Sequence, residues 1–160
     1  EVADLGISGY HALDWLRAEH GIGLGLSDHR RVEALITHGD DDATVQRLLD
    51  ALADLAMRSE EVERAPRVEI PSPEHLAPHT VMLPRDAFFG RTESVPADEA
   101  PGRIAAELAT PYPPGVPVLV PGDLITKEAV EYLRSGVAAG MQLPDPADPS
   151  LDTIKVVARD

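Results

Sequence analysis

The sequence at 110–123 reads Thr110-Pro111-Tyr112-Pro113-Pro114-Gly115-Val116-Pro117-Val118-Leu119-Val120-Pro121-Gly122-Asp123, with five prolines and two glycines among apolar residues. Proline fixes the backbone φ angle and has no N–H to donate, so this stretch cannot lie inside a helix or in the centre of a sheet. Each residue that precedes a proline is driven towards extended geometry. We therefore predict a stiff, extended and partly buried segment. A linker would instead be polar and tolerant of change.

Composition limits the classes of fold and of partner. The chain has 160 residues, of which 43% are hydrophobic, and it contains 15 prolines and 12 glycines. This length allows one good core or two small ones, with many turns. The 14 basic and 28 acidic residues give a net charge of −14. Such a field repels nucleic acid and anionic membranes and attracts a cationic substrate or partner.

Features that the sequence lacks indicate the cellular compartment of the protein and whether the chain has been processed. It contains no cysteine, so we expect neither disulfides nor a thiolate nucleophile. It has no apolar run of about 18 residues and no signal-peptide pattern, so we expect a cytoplasmic protein. The chain begins Glu1-Val2-Ala3 without an initiator methionine, which leads us to expect a fragment or a processed chain.

Hydrophobic periodicity predicts an α+β fold for the first 60 residues. Ser8 is a suitable N-cap, and Gly21 is a suitable C-terminal stop for the helix between them. Acidic residues at 40–42 suit the beginning of a second, longer helix. The predicted elements are a strand at 2–7, a helix at 10–20, strands at 22–26 and 32–37, and a helix that ends near Met57. This order corresponds to a small, open β-α-β-β-α sandwich with two helices on one face of the sheet.

The rest of the chain reads as a connector followed by a second domain. We assign 1–60 to the first domain, 61–80 to a charged, proline-bearing connector, and 81–160 to a mixed, Pro-rich α+β domain. The elements predicted beyond residue 60 are a possible strand at 67–70, a helix at 84–89, a helical turn at 95–100, an extended segment or short helix at 102–108, a helix from Thr126 to Gly140, and a strand at 151–157.

Four patterns could carry chemistry, and each has a plainer interpretation that we prefer. His75 and His79 have the i, i+4 spacing of two metal ligands, but prolines break any helix there, so we interpret them as surface-loop histidines and predict no metal site. The Asp28-His29 pair lacks a nucleophile and is interpreted as a capped turn. The acidic residues at 40–42 lack the spacing of a calcium loop. The glycines at 21–25 follow a helix rather than a strand, so the context of a dinucleotide-binding loop is missing.

The stretch at 110–123 closely resembles a signature in the C-terminal region of bacterial ornithine/lysine/arginine decarboxylases. The resemblance extends along most of the chain. Leu16–Ile22 and Leu26–Asp28, with the strand and long helix that follow, resemble the small C-terminal subdomain of fold-type-I decarboxylases. Pro84–Phe89, Val95–Ala106 and Thr110–Glu128 resemble the appended C-terminal domain of this group.

The resemblance implies a lyase that depends on pyridoxal phosphate and converts ornithine, lysine or arginine to an amine and CO2, in polyamine chemistry. It also implies an upstream domain that binds the cofactor, and a homodimer or higher homo-oligomer. Within this chain, Tyr112 and Asp123 are the candidates for the substrate entrance. Pro121-Gly122 is a turn signal that can aim the next side chain, and all three substrates carry a distal positive charge. The alternative for Asp123 is to cap that turn or the helix near Thr126.

The residues themselves limit what this chain does alone. Pyridoxal phosphate chemistry needs a lysine, and only Lys127 and Lys155 are present. Lys127 is expected in the first turn of an exposed helix, and Lys155 on the outer face of the last strand. We therefore predict no catalytic or cofactor-binding residue here. The favoured function is an enzyme part that closes the cleft, lines the substrate entrance and supports the dimer. The alternatives are a free-standing acidic binding or regulatory module and a purely structural domain.

Overall fold

The computed structural model describes residues 1–159 and divides the chain into two compact units, Glu1–Pro66 and Arg67–Asp160. The division falls inside the predicted connector at 61–80. Within the described residues, no helix combines the length and the apolar character that crossing a membrane requires. Both units mix helices with a two-stranded antiparallel sheet, so the predicted α+β class is confirmed.

The first unit contains two helices and one short hairpin. Its elements are a 3-10 turn at Ala3–Leu5, α1 (Gly9–His20), β1 (Leu26–Ser27), β2 (Val32–Glu33), α2 (Asp42–Met57) and a 3-10 turn at Ser59–Glu61. The hairpin pairs Leu26 with Glu33 and Ser27 with Val32.

Side-chain caps fix where these helices begin. The Ser8 hydroxyl accepts a hydrogen bond from the backbone N–H of His11, and the Asp41 carboxylate accepts one from the N–H of Thr44. Both bonds satisfy N–H groups that have no partner inside a helix. Gly21 ends α1 in the left-handed region at φ 61°. The predicted caps at Ser8 and Gly21 and the predicted end at Met57 are confirmed.

The core of the first unit lies between the two helices. Val2 and Ile7 from the beginning of the unit and Val62 from its end complete this core. Its fully buried aliphatic side chains include Leu16 from α1 and Leu55 from α2. Gly9 lets α1 begin directly against the hairpin turn, because a Cβ atom there would lie 2.0 Å from the carbonyl oxygen of Arg31. The buried members of this core are Val2, Ile7, Ala12, Leu16, Ala51, Leu55 and Val62.

Two predictions for the first unit are wrong. The strand at 2–7 is a 3-10 turn, because Gly6 adopts φ 75° and its N–H bonds to the carbonyl of Ala3. The first strand of the predicted β-α-β-β-α order is therefore missing. The strands at 22–26 and 32–37 are reduced to two residues each, because the two segments are hydrogen-bonded only next to the turn.

The second unit is built around the antiparallel pairing of β3 (Thr92–Pro96) with β4 (Thr153–Val157), which runs from Thr92–Val157 to Pro96–Thr153. Helix α3 (Pro84–Phe89) precedes β3, a 3-10 turn at Ala97–Glu99 follows it, and α4 (Lys127–Ala138) packs into the core through Val130 and Leu133. The helix at 84–89, the Thr126 cap and the final strand are confirmed. The segment at 67–70 forms no strand, although the Glu69 N–H donates to the Ser135 hydroxyl.

The proline-rich stretch turns back on itself instead of running straight. A turn occupies 113–115, where Gly115 adopts φ 90° and its N–H bonds to the carbonyl of Pro111. Ala109 then pairs with Leu119 and closes the loop. The prediction of one extended segment is therefore wrong, because the chain reverses at 113–115, where Gly115 adopts a left-handed conformation. Leu119 and the residues at 121–123 are buried while those at 114–117 are exposed, so the stretch is partly buried, as predicted.

Gly122 is the point where this stretch is tied to the rest of the second unit. Its N–H donates to the carbonyl of Ala105, and its own carbonyl accepts from the N–H groups of Val81 and Met82. It adopts φ 96°, and a Cβ atom there would lie 2.3 Å from the carbonyl oxygen of Met82. A side chain would therefore be strained and would also push two segments apart.

We expect Gly122→Ala to lower the free energy of unfolding by at least about 1 kcal/mol more than Gly102→Ala does. Gly102 is a matched control because it also has a positive φ, 80°, but a Cβ atom there would meet nothing within 4 Å. The comparison therefore isolates the clash from the cost of the backbone conformation. Urea unfolding followed by circular dichroism measures both variants, and equal losses would show that the clash with Met82 is absent.

Candidate functional site

Asp123 is a buried carboxylate at the end of the proline-rich stretch. Its residue is 4% exposed, and its Oδ1 accepts a hydrogen bond of 2.6 Å from the Thr80 hydroxyl. Among the described residues, no Lys, Arg or His side chain forms an ion pair with it. A buried carboxylate without a cation is costly unless hydrogen bonds or a partner compensate it.

Backbone hydrogen bonds on both sides hold Asp123 in place. Its carbonyl accepts from the N–H of Ala105, and its N–H donates to the carbonyl of Val120. The neighbouring Leu124 N–H donates to the carbonyl of His79. The carboxylate therefore sits on a segment fixed by the chain at 79–82 and by the chain at 103–105, which limits its movement.

The sequence suggested two roles for Asp123, a cap of the turn or helix and a place at the substrate entrance. Capping of the helix by Asp123 is wrong, because the Thr126 hydroxyl accepts from the N–H of Ala129 and performs that role. A role at a substrate entrance stays a prediction. The cavity that Asp123 lines within the second unit has a volume of about 10 Å³, which is at most the space of one water molecule.

Tyr112, the other candidate, lies at the surface. Its residue is 56% exposed, and its N–H donates to the carbonyl of Gln142 at 2.9 Å. The backbone at Tyr112 is thus anchored while the ring remains available to solvent or to another chain. Within residues 1–159, no hydrogen bond or ring contact joins Tyr112 to Asp123, so the structure does not assemble the two candidates into one site.

Two buried charged residues were missed by the sequence reasoning. Arg103, 9% exposed, donates to the Glu93 carboxylate and, at 2.9 Å, to the carbonyl of Val157. The hydrogen bond from Arg103 holds the pKa of the Glu93 carboxyl below its ordinary value. Glu107 accepts from the N–H of Ala147 at 2.7 Å and from the N–H of Lys155 at 2.6 Å. The signal that could have found Glu107 is a single charge inside the run Ile104-Ala105-Ala106-Glu107-Leu108-Ala109.

The other sequence candidates have structural roles. Asp28 accepts from the N–H groups of Arg30 and Arg31, which confirms a capped turn. Asp41 caps α2, which confirms that acidic residues compensate the beginning of that helix. His75 lies in a non-helical segment beside the Ser72 hydroxyl. In the described part of the chain, no three His, Asp or Glu side chains converge in the manner of a metal site.

The two lysines of the chain lie in the second unit, one on a helix and one in a strand. The Lys127 side chain is 74% exposed and forms an ion pair of 3.2 Å with Glu131 one helical turn away. Lys155 lies in β4 opposite Ser94, where its backbone carbonyl accepts from the N–H of Ala106. The expectation that neither lysine holds pyridoxal phosphate, whose chemistry needs a lysine for the Schiff base, stays a prediction.

Comparison with known proteins covers both units. Residues 72–146 match the family model of the Orn/Lys/Arg decarboxylase C-terminal domain. The chain is 38% identical over 157 residues to arginine decarboxylase of Bacillus anthracis, a match that covers 98% of this chain and 31% of that protein. It is 43% identical over 74 residues to the inducible lysine decarboxylase of Escherichia coli K12, covering 42% of this chain and 10% of that protein.

The fold is also similar to a solved structure. The constitutive lysine decarboxylase of Escherichia coli aligns with a TM-score of 0.63 and 17% identity, over 94% of this chain and 28% of that one. At this identity the likeness concerns the fold. The chain spans about a third of the length of the arginine decarboxylases that it matches.

We expect Glu107→Gln to lower the free energy of unfolding by about 1–3 kcal/mol, because one carboxylate oxygen becomes an NH2 group that faces a backbone N–H. The exposed residue Glu99 supplies the control, since Glu99→Gln removes the same charge from the surface and should change stability by less than about 0.5 kcal/mol. The urea concentrations at the midpoint of unfolding measure the loss of stability in each of the two variants. Equal midpoints for both variants would show that the two backbone bonds to Glu107 do not stabilise the unit.

Proposed function

We propose that this chain, which belongs to the Orn/Lys/Arg decarboxylase family as a C-terminal region, is part of an enzyme that decarboxylates a basic amino acid. The substrate is ornithine, lysine or arginine, and the products are an amine and CO2. The full-length protein uses pyridoxal phosphate held by a domain outside these residues. This chain contributes closure of the cleft, the substrate entrance and contacts of a homodimer.

The observation that carries the proposal is the extent of the match to an arginine decarboxylase. The likeness covers 98% of this chain, so it includes the first unit as well as the second. A free-standing module that had borrowed one domain would match over one unit alone. The match also covers only 31% of the relative, which supports the view that the remaining machinery lies elsewhere in a longer protein.

The lysines support a purely auxiliary role. Because Lys127 is exposed and ion-paired and Lys155 is a strand residue, the lysine that holds the cofactor has to come from another part of the protein. When bound there, pyridoxal phosphate supplies the electron sink for loss of the carboxylate. The residues of this chain act on the substrate by attraction, by positioning and by exclusion of water.

Charge supports a cationic substrate. The net charge of −14 raises the local concentration of a cation near the protein. Asp123 adds a held, desolvated carboxylate with no cation of its own among the described residues. In the full-length enzyme, this carboxylate is proposed to attract the distal ammonium or guanidinium group at the substrate entrance.

An apolar surface on the second unit supports an interface. The only two phenylalanines of the chain, Phe88 and Phe89, are both exposed on α3 and stack edge to face at 5.0 Å. Val81 and Leu83 are exposed just before them. Exposed apolar clusters of this kind mark interaction sites, and we assign this one to contact with the rest of the enzyme or with its second subunit.

The proposal is tested by measuring the CO2 released from arginine, lysine and ornithine by the full-length protein with pyridoxal phosphate. We expect release from at least one of the three and none from the 160-residue chain under the same conditions. The absence of release from all three by a full-length protein that binds the cofactor would contradict the proposal and favour the acidic binding module.

The isolated chain should not retain pyridoxal phosphate. After incubation with the cofactor and gel filtration, we expect no cofactor absorbance in the protein peak, because neither lysine lies in a site that shields a bound cofactor from water. Retained absorbance that disappears in Lys127→Ala or in Lys155→Ala would contradict this expectation.

Asp123→Asn in the full-length enzyme should lower kcat/KM for the basic substrate at least about tenfold, because it removes the charge while keeping an oxygen for Thr80. Thr80→Val is the matched control, since it removes the hydrogen bond and keeps the charge. We expect Thr80→Val to change stability more than kcat/KM. Equal kcat/KM for Asp123→Asn and the wild type, with a lower melting temperature, would assign Asp123 to structure alone.

A further inference from the structure

The hairpin of the first unit opens at the end away from its turn. Beyond the paired residues Leu26 and Glu33, the chain at 23–25 and the chain at 34–36 are not paired with each other. Within the described residues, the backbone N–H and carbonyl groups of these six residues make no hydrogen bond to the protein. Two unpaired backbone segments that continue a hairpin are a site for another strand.

Neither backbone conformation nor close packing within the described residues requires a glycine at two positions in this region. Gly23 and Gly25 do not adopt a positive φ, and a Cβ atom at either would meet nothing within 4 Å. Gly9 and Gly122, by contrast, are each pressed against a backbone carbonyl. Glycine in such a segment weakens it and often marks a place where another backbone approaches closely.

A cavity lies between the two open segments. It has a volume of about 440 Å³ and is bounded by 21–25, by 34–36 and by residues at the N-terminal half of α2, including Thr44 and Leu48. Leu35 is 80% exposed and Ile36 is 53% exposed at its edge. The walls therefore offer unpaired backbone groups together with apolar side chains, which is the combination that an added strand uses.

We propose that an extended segment of the full-length protein, from outside residues 1–160, fills this cavity and pairs its backbone with 23–25 and 34–36. Its alternate side chains are apolar and pack towards Leu35 and Leu48, while Gly23 and Gly25 leave room for its main chain. This inference rests on the proposed function, because it requires the longer protein of which this chain is a part.

A segment of the same polypeptide is favoured over a separate partner. More than two thirds of the length of the matched arginine decarboxylase lies outside the aligned region, so covalently linked chain is abundant. A tethered segment also binds at a high effective concentration, which compensates for a contact only about three residues long on each side. A small ligand would leave most of the six unpaired backbone residues without partners.

Amide hydrogen exchange read by mass spectrometry tests this inference in the full-length protein. We expect the amides of 23–25 and 34–36 to exchange at least about 100-fold more slowly in the full-length protein than in the 160-residue chain. Exchange at the rate of open loops in the wild-type full-length protein would overturn the inference, as would protection that appears only after a small molecule is added.

Gly23→Val gives a second measurement with a matched control. In the full-length protein we expect it to remove the protection, because a branched side chain occupies the space of the added backbone. Gly39→Val, in the exposed turn where a Cβ atom would lie 3.6 Å from the Thr37 hydroxyl, should leave the protection intact. Protection that survives Gly23→Val would overturn the inference.

Decarboxylase activity separates this inference from the proposed function. A full-length protein that releases CO2 but exchanges freely at 23–25 contradicts the added strand and leaves the function standing. A protein that is protected there but decarboxylates none of the three amino acids contradicts the function and leaves the added strand standing.

Discussion

The Glu107 carboxylate joins three separate segments of the second unit through two backbone hydrogen bonds. It lies in a buried run, and each of its oxygens accepts a backbone N–H, one from Ala147 in the loop before β4 and one from Lys155 in β4 itself. A charge is tolerated at 7% exposure because both amides compensate it. Removing either bond would leave one oxygen of the buried Glu107 carboxylate without its backbone donor, so the loop, the strand and the segment of Glu107 are held in one arrangement. Tyr112 is also anchored to the chain before β4, through its backbone bond to Gln142.

Two buried carboxylates of the second unit differ in a way that bears on function. Glu107 has a backbone donor for each oxygen, whereas Asp123 has the hydroxyl of Thr80 as its hydrogen-bond donor among the described residues. Asp123 is nevertheless as firmly placed, because Gly122 lets the chain pass within contact of Met82. A held carboxylate with remaining capacity to accept is suited to a cation that comes from outside the chain. This difference is the reason we propose a recognition role for Asp123 and an architectural role for Glu107.

The ends of the helices could be predicted from the sequence because they depend on local chemistry. The caps at Ser8 and Thr126 and the stop at Gly21 depend on neighbouring residues only, and each was found where expected. The strand predicted at 2–7 failed because Gly6 allowed a left-handed turn that an apolar pattern does not reveal. The role of Glu107 depends on residues 40 and 48 positions away, which no local pattern contains. In the candidate site, the sequence was enough to place Asp123 after a turn. It was not enough to predict that Asp123 is buried against Thr80, which is 43 positions away.

We propose that this chain serves a decarboxylase through recognition and architecture, while another part of the protein supplies the chemistry. Deleting residues 67–160 from the full-length protein tests the claim most directly, with cofactor absorbance and kcat/KM for arginine, lysine and ornithine measured on the same sample. We expect the cofactor absorbance to be retained while kcat/KM falls at least about tenfold for the preferred substrate. Unchanged kcat/KM after the deletion would contradict it, as would loss of the cofactor from a protein that remains folded.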